Sequence, residues 1–338
     1  PVEVPQGAIR LNTDSQKLEF YAQDQWWEMA TDVPTLDGGG RGICGGMTPD
    51  ASTAVTALDF ITIPTAGNAA DFGDLSVARI GLSAYSSRTR GVFHSGLSKN
   101  EIDYVTIAST GTALDFGNSQ SNRAYMKGLS SATRGISGGG YNITTEIDYV
   151  TIASTGDAKD FGNLVQTAGG GPSGAASPTR GVFGGGYINP GTLQSLNTIQ
   201  FITIATLGDS QDFGDLTVSK RAHSGQVCSS TRSVVASGYN QPANGNYNTV
   251  ESIEYYTFAS TGNSMSFGDM LGSSGISPGG TSDSVRGVWM GGGIVSPLAG
   301  SNIIQYVNIP TLGDTIDFGD MVTTGGWCDA CSNAHGGL

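Results

Sequence analysis

Six arginines recur along this 338-residue chain, at Arg41, Arg90, Arg134, Arg180, Arg232 and Arg286. A guanidinium carries a rigid fork of donors, so six of them in a ring could hold the carboxylates of anionic sugars. The competing reading is constructional. Each arginine would pair with the aspartate of a downstream Asp-Phe-Gly box (Asp71, Asp115, Asp160, Asp212 and Asp317, with Ser266 in the fifth copy) or with turn carbonyls. A residue present in every copy suits the building of the copies better than one asymmetric site, so the constructional reading is the expectation.

The remaining chemistry-bearing residues are sparse. Cys328-Asp329-Ala330-Cys331 has the spacing of half a zinc site, but no second pair has that spacing. His94, His223 and His335 occupy different places in their copies and align with no carboxylate or nucleophile. No catalytic residue, cofactor or metal is therefore expected. Recognition belongs where the copies differ, in the insertions Met47–Thr56, Tyr187–Asn197, Tyr239–Thr249 and Gly291–Ser301. All four follow the same strand and should emerge on one face. Tyr187, Asn189, Tyr239, Asn240 and Tyr247 are the candidate ligand contacts, because aromatic and amide groups suit glycans.

The elements that must carry these residues come from a repeat. Phe-Gly recurs at Phe72, Phe116, Phe161, Phe213, Phe267 and Phe318, spaced 44, 45, 52, 54 and 51 residues apart. That period fits one four-stranded blade per copy. The small-residue stretch after each Phe-Gly, such as Ser219–Gly225, is read as the innermost strand. The Arg-Gly-Val-Phe strand follows and closes in glycines that allow close approach and positive φ. A third strand alternates, as in Ile102–Ala108, before a Ser-Thr-Gly turn, and the fourth ends at Asp-Phe-Gly, its aromatic packing between copies.

This order resembles the kelch motif over roughly residues 38–338, with Phe where kelch units usually carry Trp. The resemblance implies an all-β fold, a six-bladed kelch-like β-propeller. The first copy lacks an inner strand, so the segment after Phe318 is expected to supply it as a C-terminal strand clasp. That clasp would bring Cys328 or Cys331 near Cys44. A disulfide is open there, with buried reduced thiols the preferred reading.

Residues 1–37 do not fit the repeat. Ile9, Leu11, Phe20, Tyr21, Trp26 and Trp27 fall in three short strands too small to bury them, so a β-hairpin module for docking or oligomerisation is expected, with these six as candidate anchors. The pattern Gly-x-Ile-Arg-x-Asn-Thr-Asp, then Leu-Glu-aromatic, is similar to short modules near the N-termini of tailed-phage virion proteins. The wording of the repeat also resembles structural proteins of marine, chiefly cyanobacterial, phages. The resemblance implies a tail-fibre or other virion appendage, anchored through residues 1–37 to other virion proteins, homo-oligomeric, and facing host-surface polysaccharide. A secreted glycan-active enzyme and a capsid decoration protein without a ligand are the alternatives.

Net charge agrees with part of this. At −13, the surface repels phosphate backbones, so nucleic acid is not expected as a partner. No run approaches the roughly 18 apolar residues of a membrane span, and Pro1-Val2-Glu3-Val4 shows no secretory n- or h-region.

Overall fold

Glycine-punctuated runs of Ile, Val, Thr and Tyr favour short strands, and every regular element of the described residues is a strand. The computed structural model describes residues 4–12, 17–28, 40–50, 52–141, 144–188, 193–221, 225, 227–241, 248–272, 277–295 and 298–338. The chain divides into two units, residues 1–39 and 40–338.

The first unit is an antiparallel meander of Ile9–Asn12, Lys17–Ala22 and Gln25–Glu28. Ile9 lies opposite Phe20, Leu11 opposite Leu18, and Phe20 opposite Trp27, so these five apolar residues share one face. Ile9 and Leu11 are 62% and 60% exposed on it. Adjacent residues of a strand point to opposite faces, so the two tryptophans part. Trp26 joins the other face, where the Arg10 guanidinium stacks on it at 4.1 Å and Tyr21 meets it edge-on at 5.3 Å. Glu19 accepts from Arg10 at 2.7 Å and from Asn12 at 2.8 Å there.

In the second unit each copy forms an antiparallel sheet. The third copy is typical: Lys127–Ser130, Arg134–Gly138, Glu146–Thr151 and Lys159–Asn163 pair in that order. In the first copy, Asp329–Ser332 pairs antiparallel with Arg41–Gly45, Ala330 lying opposite Cys44. The inner strand does not fall where the sequence places it. It ends four residues before the repeated arginine, because a three-residue turn fixes its register: Arg134 N–H donates to Ser131 Oγ at 3.2 Å and Ser131 N–H to the Arg134 carbonyl at 3.0 Å. Of the expected inner strand Ser219–Gly225, Ser219, Lys220, Arg221 and Gly225 belong to no strand, and residues 222–224 lie outside the described residues. Among the described residues the fifth sheet has three strands, Arg232–Val235, Ser252–Thr257 and Met265–Asp269, plus a single bridge between Cys228 and Ser233.

The Phe-Gly box is a β-bulge. In all six copies the register between third and fourth strands skips the phenylalanine. A bulge leaves one peptide unpaired and re-aims it. Here the freed carbonyl accepts from the glycine of the next copy's turn: Gly111 to Phe72, Gly156 to Phe116, Gly208 to Phe161, Gly262 to Phe213, Gly313 to Phe267, and Gly67 to Phe318, all between 2.7 and 3.0 Å. The last of these runs from the first copy to the sixth.

The repeated arginines have the same connectivity. Each stacks on an aromatic of its own third strand, Arg134 on Tyr149 at 4.7 Å for example. Each then donates to a carbonyl of the next copy: Arg41 to Ile107, Arg90 to Ile152, Arg134 to Ile204, Arg180 to Phe258, Arg232 to Ile309 and Arg286 to Ile63. Carbonyls, rather than the Asp-Phe-Gly carboxylates, are thus the partners observed. The apolar clusters lie between consecutive sheets as well. One joins Leu129, Ile147 and Phe161 of the third copy to Phe183, Ile202 and Ile204 of the fourth. Another joins Met290, Ile304 and Phe318 of the sixth to Cys44, Ile61 and Ile63 of the first.

Candidate ligand-binding site

Two residues before each described inner strand the backbone turns left-handed, with φ of +64° at Gly81, +57° at Tyr125, +78° at Gly171, +41° at Ser277 and +54° at Trp327. Glycine adopts this conformation freely, whereas a bulky side chain there costs about 1–3 kcal/mol. The N–H of each of three such residues donates to its counterpart in the preceding sheet: Gly81 to Trp327 at 3.1 Å, Tyr125 to Gly81 at 2.6 Å, and Gly171 to Tyr125 at 2.6 Å. Strain at Tyr125 and Trp327 is therefore held by the stacking of the sheets, and their rings are brought to one end of the inner strands.

A second set of aromatics comes from the residue after the glycine strand. Tyr141, Tyr187 and Tyr239 occupy equivalent places in the third, fourth and fifth copies. Tyr187 bridges to Gly169, and Tyr239 bridges to Arg221 through reciprocal backbone bonds of 3.0 and 3.1 Å. The Arg221 guanidinium lies between their rings, 4.7 Å from the Tyr187 centroid and 4.6 Å from that of Tyr239. It also donates to Gln241 Oε1. Tyr125 and Tyr141 meet edge-on at 6.2 Å. These four tyrosines, Arg221 and Trp327 enclose a cavity of about 270 Å³ that Gly170, Gly171, Leu193 and Ser277 complete. Burial is the main cause that raises the Tyr125 and Tyr187 hydroxyls above their ordinary pKa, so both stay protonated donors at neutral pH.

The cavity is braced from both sides. The Lys127 ammonium and Asp329 carboxylate lie 3.3 Å apart, both buried, two residues beyond Tyr125 and Trp327 respectively. Asp329 also accepts from Ala84 N–H at 2.9 Å. Desolvation dominates and pushes its carboxyl up, against the opposing Lys127 charge. On the other side the insertions of the fourth and fifth copies form short hairpins, Tyr187–Ile188 with Gln194–Ser195 and Tyr239–Asn240 with Asn248–Thr249. These are tied together by Ser195 N–H to the Gln241 carbonyl at 3.0 Å and Gln241 N–H to Ser195 Oγ at 2.9 Å.

Of the residues singled out in the sequence, Tyr187 and Tyr239 meet in this wall. Asn240 does not line it; its amide donates to the Ser219 carbonyl at 2.6 Å. Asn189 and Tyr247 lie outside the described residues. Tyr125, Tyr141, Arg221 and Trp327 escaped the sequence reading. The Gly-Tyr pair that ends three consecutive glycine strands could have found Tyr141, but Tyr125, Arg221 and Trp327 sit in stretches read as plain inner-strand approach.

Among the described residues the other reactive groups make contacts within the scaffold, and His223 lies outside the described residues. His94 accepts or donates to the Tyr85 hydroxyl at 2.9 Å, and His335 lies 3.1 Å from Ser130 Oγ while its Nδ1 accepts from Gly337 N–H at 3.1 Å. All four cysteines are free and buried. The thiol of Cys44 contacts that of Cys328, a hydrogen bond that, with burial, pushes the Cys44 thiol well up. Cys331 faces the other side of that sheet, with Ile43 and Phe93. No group of three or more metal-ligating side chains occurs among the described residues. No family model matches the chain, and no curated protein matches it.

Proposed function

We propose that the chain is a non-enzymatic virion appendage protein, whose second unit is a six-bladed kelch-like β-propeller and whose ligand is a host-surface glycan. The propeller reading is supported by three sets of contacts that each run from copy to copy and from the sixth to the first: the Phe carbonyl bonds, the arginine bridges and the apolar clusters. Small inner strands buried on both faces suit the crowded axis of such a ring. Asp329–Ser332 would then be the clasp that removes both sheet edges.

The single observation that carries the binding role is the aromatic cavity. Tyr125 and Trp327 hold strained backbone in its lining, and such strain is retained at sites of recognition. Sugar rings stack on tyrosine and tryptophan through their C–H faces while hydroxyls bond to the polar tips, which is what this lining offers. The anchor role rests on the first unit, whose face of Ile9, Leu11, Leu18, Phe20 and Trp27 is more apolar than a three-stranded sheet can leave uncovered.

Cryo-electron microscopy of the particle bearing this chain tests the proposal. Density for residues 1–39 in a symmetric virion junction, with a six-lobed disc projecting outward, is the expected result. A free monomer in solution, absent from purified particles, would overturn it.

A further inference from the structure

We infer that the cavity takes a single neutral sugar ring, one without a carboxylate, sulfate or amine, stacked on Tyr141. The inference rests on the glycan reading above and adds to it the charge and size of the ligand and the residue that stacks on it.

The three equivalent tyrosines do not present the same surface. The Tyr187 ring packs on the Arg221 guanidinium, and it lies so close to Gly169 and Gly170 that a methyl group on either would come 3.0 Å from it. The Tyr239 ring packs on the same guanidinium. Both rings are therefore committed to the wall. Tyr141, which meets Tyr125 edge-on at 6.2 Å, is 51% exposed, and of the three it is the one whose ring is open to a ligand. Stacking on a sugar needs such an open ring and no charge.

The lining is equally specific in its charge. Arg221 is the one charged side chain among the described lining residues, and it is engaged within the wall: two rings cover it, it donates to Gln241 Oε1, and it is 6% exposed. A ligand carboxylate or sulfate would reach it only by displacing one of these partners. A ligand ammonium would meet a cation and, among the described lining residues, no acid. Either ion would give up its hydration with no counter-charge to replace it. The insertions that supply Tyr187, Leu193 and Tyr239 carry the same signature. Residues 187–197 and 239–249 contain no Asp, Glu, Lys or Arg, although 13% of the chain is charged, and they contain eight Asn or Gln. An amide donates and accepts at once, as a sugar hydroxyl does, and the protonated hydroxyls of Tyr125 and Tyr187 share that property. Volume sets the size. At about 270 Å³ the cavity lies at the lower edge of the ~300–1,000 Å³ typical of small-molecule sites, which suits one sugar ring rather than a chain segment.

The test is an array of neutral glycans and of glycans containing uronic acid, sialic acid or sulfate, probed with the full chain. Calorimetry on a neutral hit follows, at ~0.05 and ~0.5 M sodium chloride. Signal led by neutral glycans is expected, with an affinity that changes by less than about twofold between the two salts, because no ion pair is screened. Tyr141→Ala should weaken binding about tenfold with the melting temperature unchanged, and Tyr141→Phe, which keeps the ring, should bind as the parent chain does. Signal from acidic glycans alone or in equal measure, or a tenfold fall with salt, overturns the neutral class and leaves the glycan reading standing. A neutral hit that is indifferent to Tyr141→Ala, or weakened as much by Tyr141→Phe, overturns the stacking role of this ring. An array without signal overturns the glycan reading itself.

Discussion

Arginine and histidine show how the same chemistry is put to structural use here. Arg134 joins two copies through a stacked guanidinium and a 2.6 Å bond to the Ile204 carbonyl. Its removal should cost about 1–3 kcal/mol, from a cation–π contact and a charge-assisted hydrogen bond lost together. Urea unfolding of Arg134→Ala measures this, and Arg134→Lys should recover only part, since an ammonium lacks the planar face. His94 predicts a pH dependence. Burial, followed by the charges of Arg123 and Arg79, holds its pKa at about 3. The unfolded chain takes up that proton near pH ~6.5 and the folded chain does not, so stability is full above that pH and is lost as pH falls, by about 1.4 kcal/mol per unit. His335, held at about 4, acts in the same direction, whereas the raised carboxyls of Asp59, Asp148 and Asp329 act in the opposite one. A variant isolates the effect: His94→Gln should flatten the slope of unfolding free energy between pH ~4 and ~6 by about 1.4 kcal/mol per unit. An unchanged slope would mean that the ring is protonated in the fold.

At the scale of the element, the bulge is the joint. Gly162, of the Phe-Gly box, and Gly208, of the next copy's turn, face each other there with φ of +144° and +145°. A methyl group on Gly162 would come 2.4 Å from the Gly208 carbonyl oxygen, whereas one on Gly208 meets open space. Both substitutions to alanine incur backbone strain of about 1–3 kcal/mol. Gly162→Ala should cost about 1–3 kcal/mol more, because backbone cannot yield as a side chain can. Thermal unfolding of the pair checks the difference. A further joint went unnoticed in the sequence. The polar residue inside each apolar third strand reaches back to the preceding copy, as Asp103 does to Ser76 N–H at 3.0 Å, Glu254 to Thr217 N–H at 2.6 Å, and Asp59 to Thr323 N–H at 2.8 Å. Buried cations accompany some of them: Arg79 on Asp103 and Lys220 on Glu254.

For the whole molecule, the two units make separable predictions. The second unit has its own cores between sheets, so residues 40–338 alone should keep the far-ultraviolet spectrum and melting temperature of that unit. On the anchor reading proposed above, the same deletion should abolish incorporation into particles, because the apolar face of residues 9–27 is gone. Unfolding of the 40–338 unit on deletion would remove the anchor reading. Truncation before Asp329 should be far more damaging, since it unpairs Arg41–Gly45 and takes away the carboxylate that faces Lys127. Loss of the cooperative transition on heating is the expected outcome.

The repeated boxes, the strand-rich character and the pairing of the last segment with the first were legible in the sequence, because periodic residue types report local backbone demands. Glycine at a bulge and Ser-Thr-Gly at a turn are constraints that neighbours along the chain impose. Whether Cys44 is bridged was left open by the sequence, where reduced thiols were only the preferred reading; the tertiary structure leaves all four cysteines free. The cavity was only half legible. Tyr187 and Tyr239 stood out in variable loops, but Tyr125, Arg221 and Trp327 lie 96 and 106 residues apart in a chain where only the stacking of sheets makes them neighbours. Which tyrosines share a wall, and that a guanidinium lies between two of them, was decided by hydrogen bonds between copies rather than within them. No local pattern records such bonds, because the partner backbone carries no side-chain signature.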